Sequence, residues 1–171
     1  MSSLRIVAMS AFSLLPILSL AQDAARALEV VAKKQVFEPL VDTAPSGNAG
    51  VFVGVNLFDK DESLNSLAYA VNDAVETAYA FAIELKLIPP SNCTILISGE
   101  PNDEGSNRVV AEHLEQLKRA GAKVKAADRS EILYSFLQST KLAASESNVL
   151  IVSISSHGFE TGGEAYIMPS D

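Results

Sequence analysis

Two kinds of apolar pattern alternate along the chain. The first is short, dense and rich in β-branched residues: 51–57 (VFVGVNL), 94–98 (TILIS) and 148–155 (NVLIVSIS). None of these runs alternates cleanly between apolar and polar, which predicts strands covered on both faces, as in a parallel sheet. The second pattern recurs at three and four residues and predicts helices. Ala74, Val75, Ala78, Phe81, Ala82 and Leu85 share one face of a helix over 73–87, opened by the capping-box spacing of Asp73 and Glu76 and stopped by Pro89 and Pro90. Val109, Val110, His113, Leu114 and Leu117 share a face of a second helix that ends before Gly121. Asp128 and Glu131 repeat the capping spacing ahead of a third, with Ile132, Leu133, Phe136 and Leu137 as its predicted buried stripe. Thr161-Gly162-Gly163 reads as a hairpin tip between Phe159 and 166–168.

Strand, helix, strand, helices, strand is the order of an α/β protein, a three-layer α/β/α sandwich with a mainly parallel sheet. The sheet reads as incomplete at its C-terminal side, because nothing after the hairpin supplies a helix or strand to cover the outer side of 149–154. A following segment or a second polypeptide is expected to complete it.

Ahead of the domain, Arg5, an apolar run over 6–20 interrupted by Pro16, and Ser19-Leu20-Ala21 before polar Gln22 fit a signal peptide over 1–21. That leader predicts a secreted or periplasmic product; a start codon beyond it would leave the protein cytoplasmic. Its apolar run is short for a bilayer span, which needs about 20 residues, and no second run follows, so no membrane span is expected in the mature chain. Residues 22–50 form an N-terminal segment and linker, marked by Pro39, Pro45, Gly47 and Gly50, and 51–171 form the main domain.

Composition narrows the classes further. With 171 residues, 48% of them apolar, one globular domain with a real core is expected. Thirteen Lys and Arg against 21 Asp and Glu give a net charge of −8, a field that repels phosphate backbones and argues against a nucleic-acid partner. One cysteine and two histidines can make neither an intrachain disulfide nor a four-ligand zinc site.

In open α/β sheets the functional crevice lies beyond the carboxyl ends of the strands. The loop after the first strand, Asn72-Asp73 at the following helix, and Ser155-Ser156-His157-Gly158 all belong to that rim. Histidine ordinarily titrates near neutrality and can move protons, while a glycine N–H can approach a substrate oxyanion closely. Each residue also has a plainer role: His157 as a hydrogen-bonded turn residue, Asp73 and Asn72 as helix N-cap or first-turn residues, Ser155 and Ser156 as strand-end polar groups. No G-x-S-x-G supports a serine nucleophile. His113 falls on an apolar stripe and reads as a satisfied core-edge histidine. Cys93 precedes its strand, at the opposite end of the sheet from His157, and is a poor nucleophile candidate. Asp59, Asp61 and Glu62 lack the glycine and terminal glutamate of an EF-hand and read as a solvated loop.

Taken in order, VFVGVN, AVNDA, a strand ending SSHGF, and YIMPSD resemble the caspase-like cysteine peptidases, closest to the metacaspase and bacterial caspase-like branch. The likeness covers about residues 51–171, the N-terminal part of such a catalytic domain. It implies a cysteine endopeptidase acting on a polypeptide substrate, with His157 as base and proton shuttle and Gly158 lending its N–H to the oxyanion hole. Asp73 would make the primary pocket prefer Arg or Lys, and Ser155 would line that pocket. No cofactor is implied as required; Asp171 falls where some calcium-activated members place a ligand. Ser156 replaces the more usual glycine, and Ala70 stands where metacaspases often have cysteine. The family's nucleophile follows the next strand, so the partner implied is the missing C-terminal part of the domain, and these 171 residues alone are expected to be inactive. Two readings compete with this one: a non-catalytic caspase-like module that binds a peptide or partner, and an unrelated flavodoxin-like domain, for which no glycine-rich phosphate loop speaks.

Overall fold

The computed structural model describes residues 7–8, 46–60, 63–102 and 109–171. The expected leader and the segment after it therefore lie largely outside the described residues. Val7–Ala8, two residues of that leader, form β1.

The first long apolar run forms β2 (Ala49–Val55), buried at every position. It begins two residues inside the expected linker. Helix α1 follows (Ala70–Tyr79), continued by a π-helical turn over Ala80–Glu84. Then come β3 (Cys93–Ser98), α2 (Val109–Arg119), β4 (Lys123–Ala126), α3 (Arg129–Leu142) and β5 (Leu150–Ser155), with a hairpin of β6 (Gly158–Thr161) and β7 (Glu164–Ile167) last. The main sheet has the order β1-β5-β2-β3-β4, and every pairing in it is parallel. The expected α/β architecture with a mainly parallel sheet between helical layers is the one observed.

Alternation along β2 divides the core. Phe52 faces α1 and α2 together with Ile95, Val71, Val75, Leu114 and Leu117. Val51, Val53 and Val55 face the other way, onto Leu96, Ile132 and Phe136 of the α3 layer.

Three local expectations are corrected. Helix α1 starts at Ala70, three residues before the Asp73–Glu76 spacing placed it, and its regular turns stop at Tyr79, with Lys86 left-handed (φ 50°) before 87. On α3, Leu133 and Leu137 are 61% and 54% exposed, because the side against the sheet carries Ile132, Ser135, Phe136, Ser139 and Ala143 instead. Strand β4 was not anticipated: Lys-Val-Lys-Ala offers only four alternating positions, and its lysines suit a short edge strand. Asp128 does cap α3, accepting from the Glu131 N–H at 2.8 Å and from the Ser130 hydroxyl at 2.7 Å, and those bonds hold its carboxyl below the usual carboxylate range.

From β2 the chain moves outward through β3 and β4, then returns to β5 on the other flank of β2. The reversal makes the carboxyl ends of β2 and β5 a topological switch point, where open α/β sheets form their crevices.

Candidate functional site

Helix α1 is brought to the switch point by a close backbone approach. A Cβ on Gly54 would fall 2.8 Å from the Val71 Cα and against the Ala70 carbonyl oxygen, so only glycine lets the helix start sit on this strand. Two residues on, Asn56 is buried and caps the helix from a distance: its Oδ1 accepts the Val71 N–H at 3.1 Å, and its Nδ2 donates to Glu100 O at 3.2 Å. Asn72, also buried, clasps the backbone of Asn102 with both ends of its amide, at 2.9 and 2.8 Å. Of the plain roles open to Asp73 and Asn72, neither caps the helix; both lie in its first turn, where Asp73 is the acidic residue.

Freed from capping, the exposed Asp73 carboxylate turns to β5. Ser155 Oγ donates to Asp73 Oδ2 at 2.8 Å. Register explains the meeting, since Ser155 pairs with Gly54 and so sits on the strand beside the helix start.

His157 stands two residues beyond Ser155. Its Nε2 lies 2.8 Å from the carbonyl oxygen of Asn65 in the β2–α1 loop. A carbonyl can only accept, so Nε2 carries the proton, and in the neutral ring Nδ1 is left with its lone pair. The Phe58 ring lies against the imidazole, centroids 5.0 Å apart and planes tilted by 34°. Ser156 Oγ is engaged with Met168 O at 2.6 Å.

Gly158 opens the hairpin. Met168 donates its N–H to His157 O at 2.9 Å, and Gly158 is paired with Ile167, the next rung. Antiparallel rungs alternate, so the Gly158 N–H points away from β7. A Cβ at this position would come within 2.9 Å of Tyr166 O. Thr161 pairs with Glu164 across Gly162 and Gly163, both at positive φ, as the hairpin tip requires.

The structure thus gathers Asp73, Ser155, His157 and Gly158 at one end of the sheet. Asp171 lies apart from them, at the start of α3: its Oδ1 accepts the Arg129 N–H at 2.7 Å and its Oδ2 is 4.0 Å from Lys60 Nζ. Among the described residues no group of three or more His, Cys, Asp or Glu is placed to hold a metal ion. Asp61 and Glu62 lie outside the described residues, and Asp59 donates its N–H to Ser170 O at 2.9 Å. Cys93 starts β3 level with Ile151, about 13 Å along the sheet from the Ser155 level, and burial pushes its thiol up to about 12. His113 is satisfied as expected, 2.8 Å from Glu76 Oε1 and stacked on Tyr79 at 3.7 Å.

Sequence reading missed Asn56, Asn65 and Phe58. An asparagine directly after a buried strand was a usable signal for the first; a backbone carbonyl has none. Among the described residues no helix is long and apolar enough to cross a membrane. No protein-family model matches the chain, and neither a curated protein nor a solved structure matches it.

Proposed function

We propose that this chain carries the base and the primary specificity pocket of a caspase-like cysteine endopeptidase that cleaves after Arg or Lys. One combination supports the reading: an imidazole whose Nε2 is held by the Asn65 carbonyl and a serine-bound carboxylate both lie beyond the carboxyl ends of β2 and β5. With Nε2–H held by Asn65, the Nδ1 lone pair is available to take a thiol proton, and the imidazolium then returns that proton to the leaving amine. The Gly158 N–H, turned out of the hairpin ladder, suits the developing oxyanion. Asp73 suits a guanidinium or ammonium on the substrate, since paired charge is the strongest recognition a partly exposed carboxylate offers.

The thiol has to come from outside these residues, because Cys93 is the chain's single cysteine and lies buried at the other end of the sheet. A groove of about 630 Å³ between α3 and the hairpin, floored by Val53 and Ile154, suits the completing polypeptide. A right-handed crossover leaving β5 past β1, which already borders it at Ile151 and Val152, would lay a helix on that face. The leader-like N-terminus favours a secreted or periplasmic product.

The test uses the product of the whole reading frame. Hydrolysis of an Arg-containing reporter should fall about 10²- to 10⁴-fold in His157→Ala. Cleavage that survives this change, or an Asp73→Ala variant that still ranks Arg and Asp reporters as before, overturns the reading. Because the chain's single cysteine is buried, a second reading is a caspase-like module that binds a peptide or partner without cutting it. An in-frame cysteine after a further strand beyond Asp171 argues for the peptidase, and a stop codon there for the module.

A further inference from the structure

His157 is held from both sides by segments remote from it in sequence. One nitrogen bonds the Asn65 carbonyl, and the ring rests against Phe58, both in the β2–α1 loop. From the other side, Met168 fixes the His157 backbone through its N–H, and Ser156 Oγ reaches Met168 O. Two residues further along, Ser170 accepts the Asp59 N–H at 2.9 Å, next to Phe58, and donates its own N–H to Ala127 O at 3.0 Å. On its other flank, Leu57 O accepts from Ser98 Oγ at 2.7 Å. The Phe58 backbone is thus tied on both sides, and its ring packs on the cluster of Val51, Val53 and Val55.

We propose that Phe58 is a positioning residue for His157. A swing of the ring about the Cα–Cβ bond would carry Nε2 away from Asn65 O and lose the bond that sets the tautomer. The Phe58 ring, packed on the core cluster and with the next residue's N–H held by Ser170, occupies one side of the imidazole and limits that swing. It thereby keeps Nε2–H on Asn65 and the lone pair on Nδ1. The inference draws its consequence from the reading of His157 as a base, yet its test needs no catalysis.

Long-range nitrogen–proton NMR of the chain reads the tautomer directly. In the wild type, neutral His157 should be the Nε2–H form, with nuclear Overhauser contacts between its ring and Phe58. Phe58→Leu, which keeps an apolar group in the cluster, should lower the Nε2–H to Nδ1–H ratio about two- to tenfold, the weight of one net hydrogen bond. Phe58→Tyr should keep it. Phe136→Leu loosens the same cluster and should leave the ratio unmoved. The inference is overturned by an absent ring contact in the wild type, an unmoved ratio in Phe58→Leu, or an equal shift in Phe136→Leu. If Phe58→Leu does not fold, the wild-type contact and the Phe58→Tyr ratio decide. Absence of Arg-reporter cleavage by the full product defeats the peptidase reading while leaving these NMR outcomes as they stand.

Discussion

Ser155 donates to the Asp73 carboxylate across 2.8 Å although 82 residues separate them in the chain. The pair spans the point where strand order reverses. Asp73→Asn keeps the shape and the serine bond but removes the charge. Its affinity for agmatine, an arginine side-chain analogue, should fall about tenfold or more, the loss of one charge-assisted bond. Stability should stay within about 0.5 kcal/mol, because the carboxylate is exposed. Titration calorimetry with urea unfolding checks both. Unchanged affinity would mean that the carboxylate recognises no cation.

The crevice depends on the start of α1, and that start depends on Asn56. Asn56→Ala strands the Val71 N–H in a buried setting and takes the donor from the exposed Glu100 carbonyl, and should cost about 1–3 kcal/mol by urea unfolding. Asn56→Asp keeps an acceptor for Val71 and gives up only the donor, so it should cost less. Equal losses in both variants would show that the long-range cap is not what holds the helix.

How far the sequence discloses this site can be read from the same residues. The apolar runs disclose the three long strands: burial on both faces leaves β2 and most of β3 few polar interruptions, and β5 is as apolar although all but Leu150 is only half-buried. His157 and Gly158 are legible because a strand ending places them on the rim. The start of α1 is not, since the local Asp73–Glu76 spacing competes with a cap supplied by Asn56 from fifteen residues upstream, and the tertiary bond wins. Nor is the rotation of α3. Its Leu133 and Leu137 look like the buried stripe, yet the sheet takes Ser135 and Ser139. Periodicity gives the angular separation of residues on a helix and leaves open which of two similar faces is turned inward.

Gly54 offers a sharper test of how strand and helix fix the site. A methyl group there meets the backbone of Ala70 and Val71, which cannot rotate aside. Gly54→Ala should therefore lower stability by about 2 kcal/mol or more, or push α1 outward and separate Asp73 from Ser155. Thermal unfolding and agmatine binding read the two alternatives. A variant with wild-type stability and wild-type binding would refute the close approach.

Cys93 gives a pH dependence whose sign follows from burial alone. Its thiol ionises at about 12 when folded, against 9.0 for an unperturbed thiol. Above about pH 9 the unfolded chain releases this proton while the folded chain keeps it, so the folded state binds more protons and stability falls as pH rises. The slope from this one group is about 1.4 kcal/mol per pH unit until the folded thiol itself titrates. Cys93→Ala is less stable at neutral pH, having lost buried volume, but it lacks the group. From about pH 9 to about pH 10.5 the wild type should lose about 2 kcal/mol more than Cys93→Ala in urea unfolding. Iodoacetamide at about pH 8 should label the thiol only after unfolding, since the thiolate is the reactive form. Parallel losses in the two proteins, or rapid labelling of the folded chain, would place Cys93 in water and reopen it as a nucleophile.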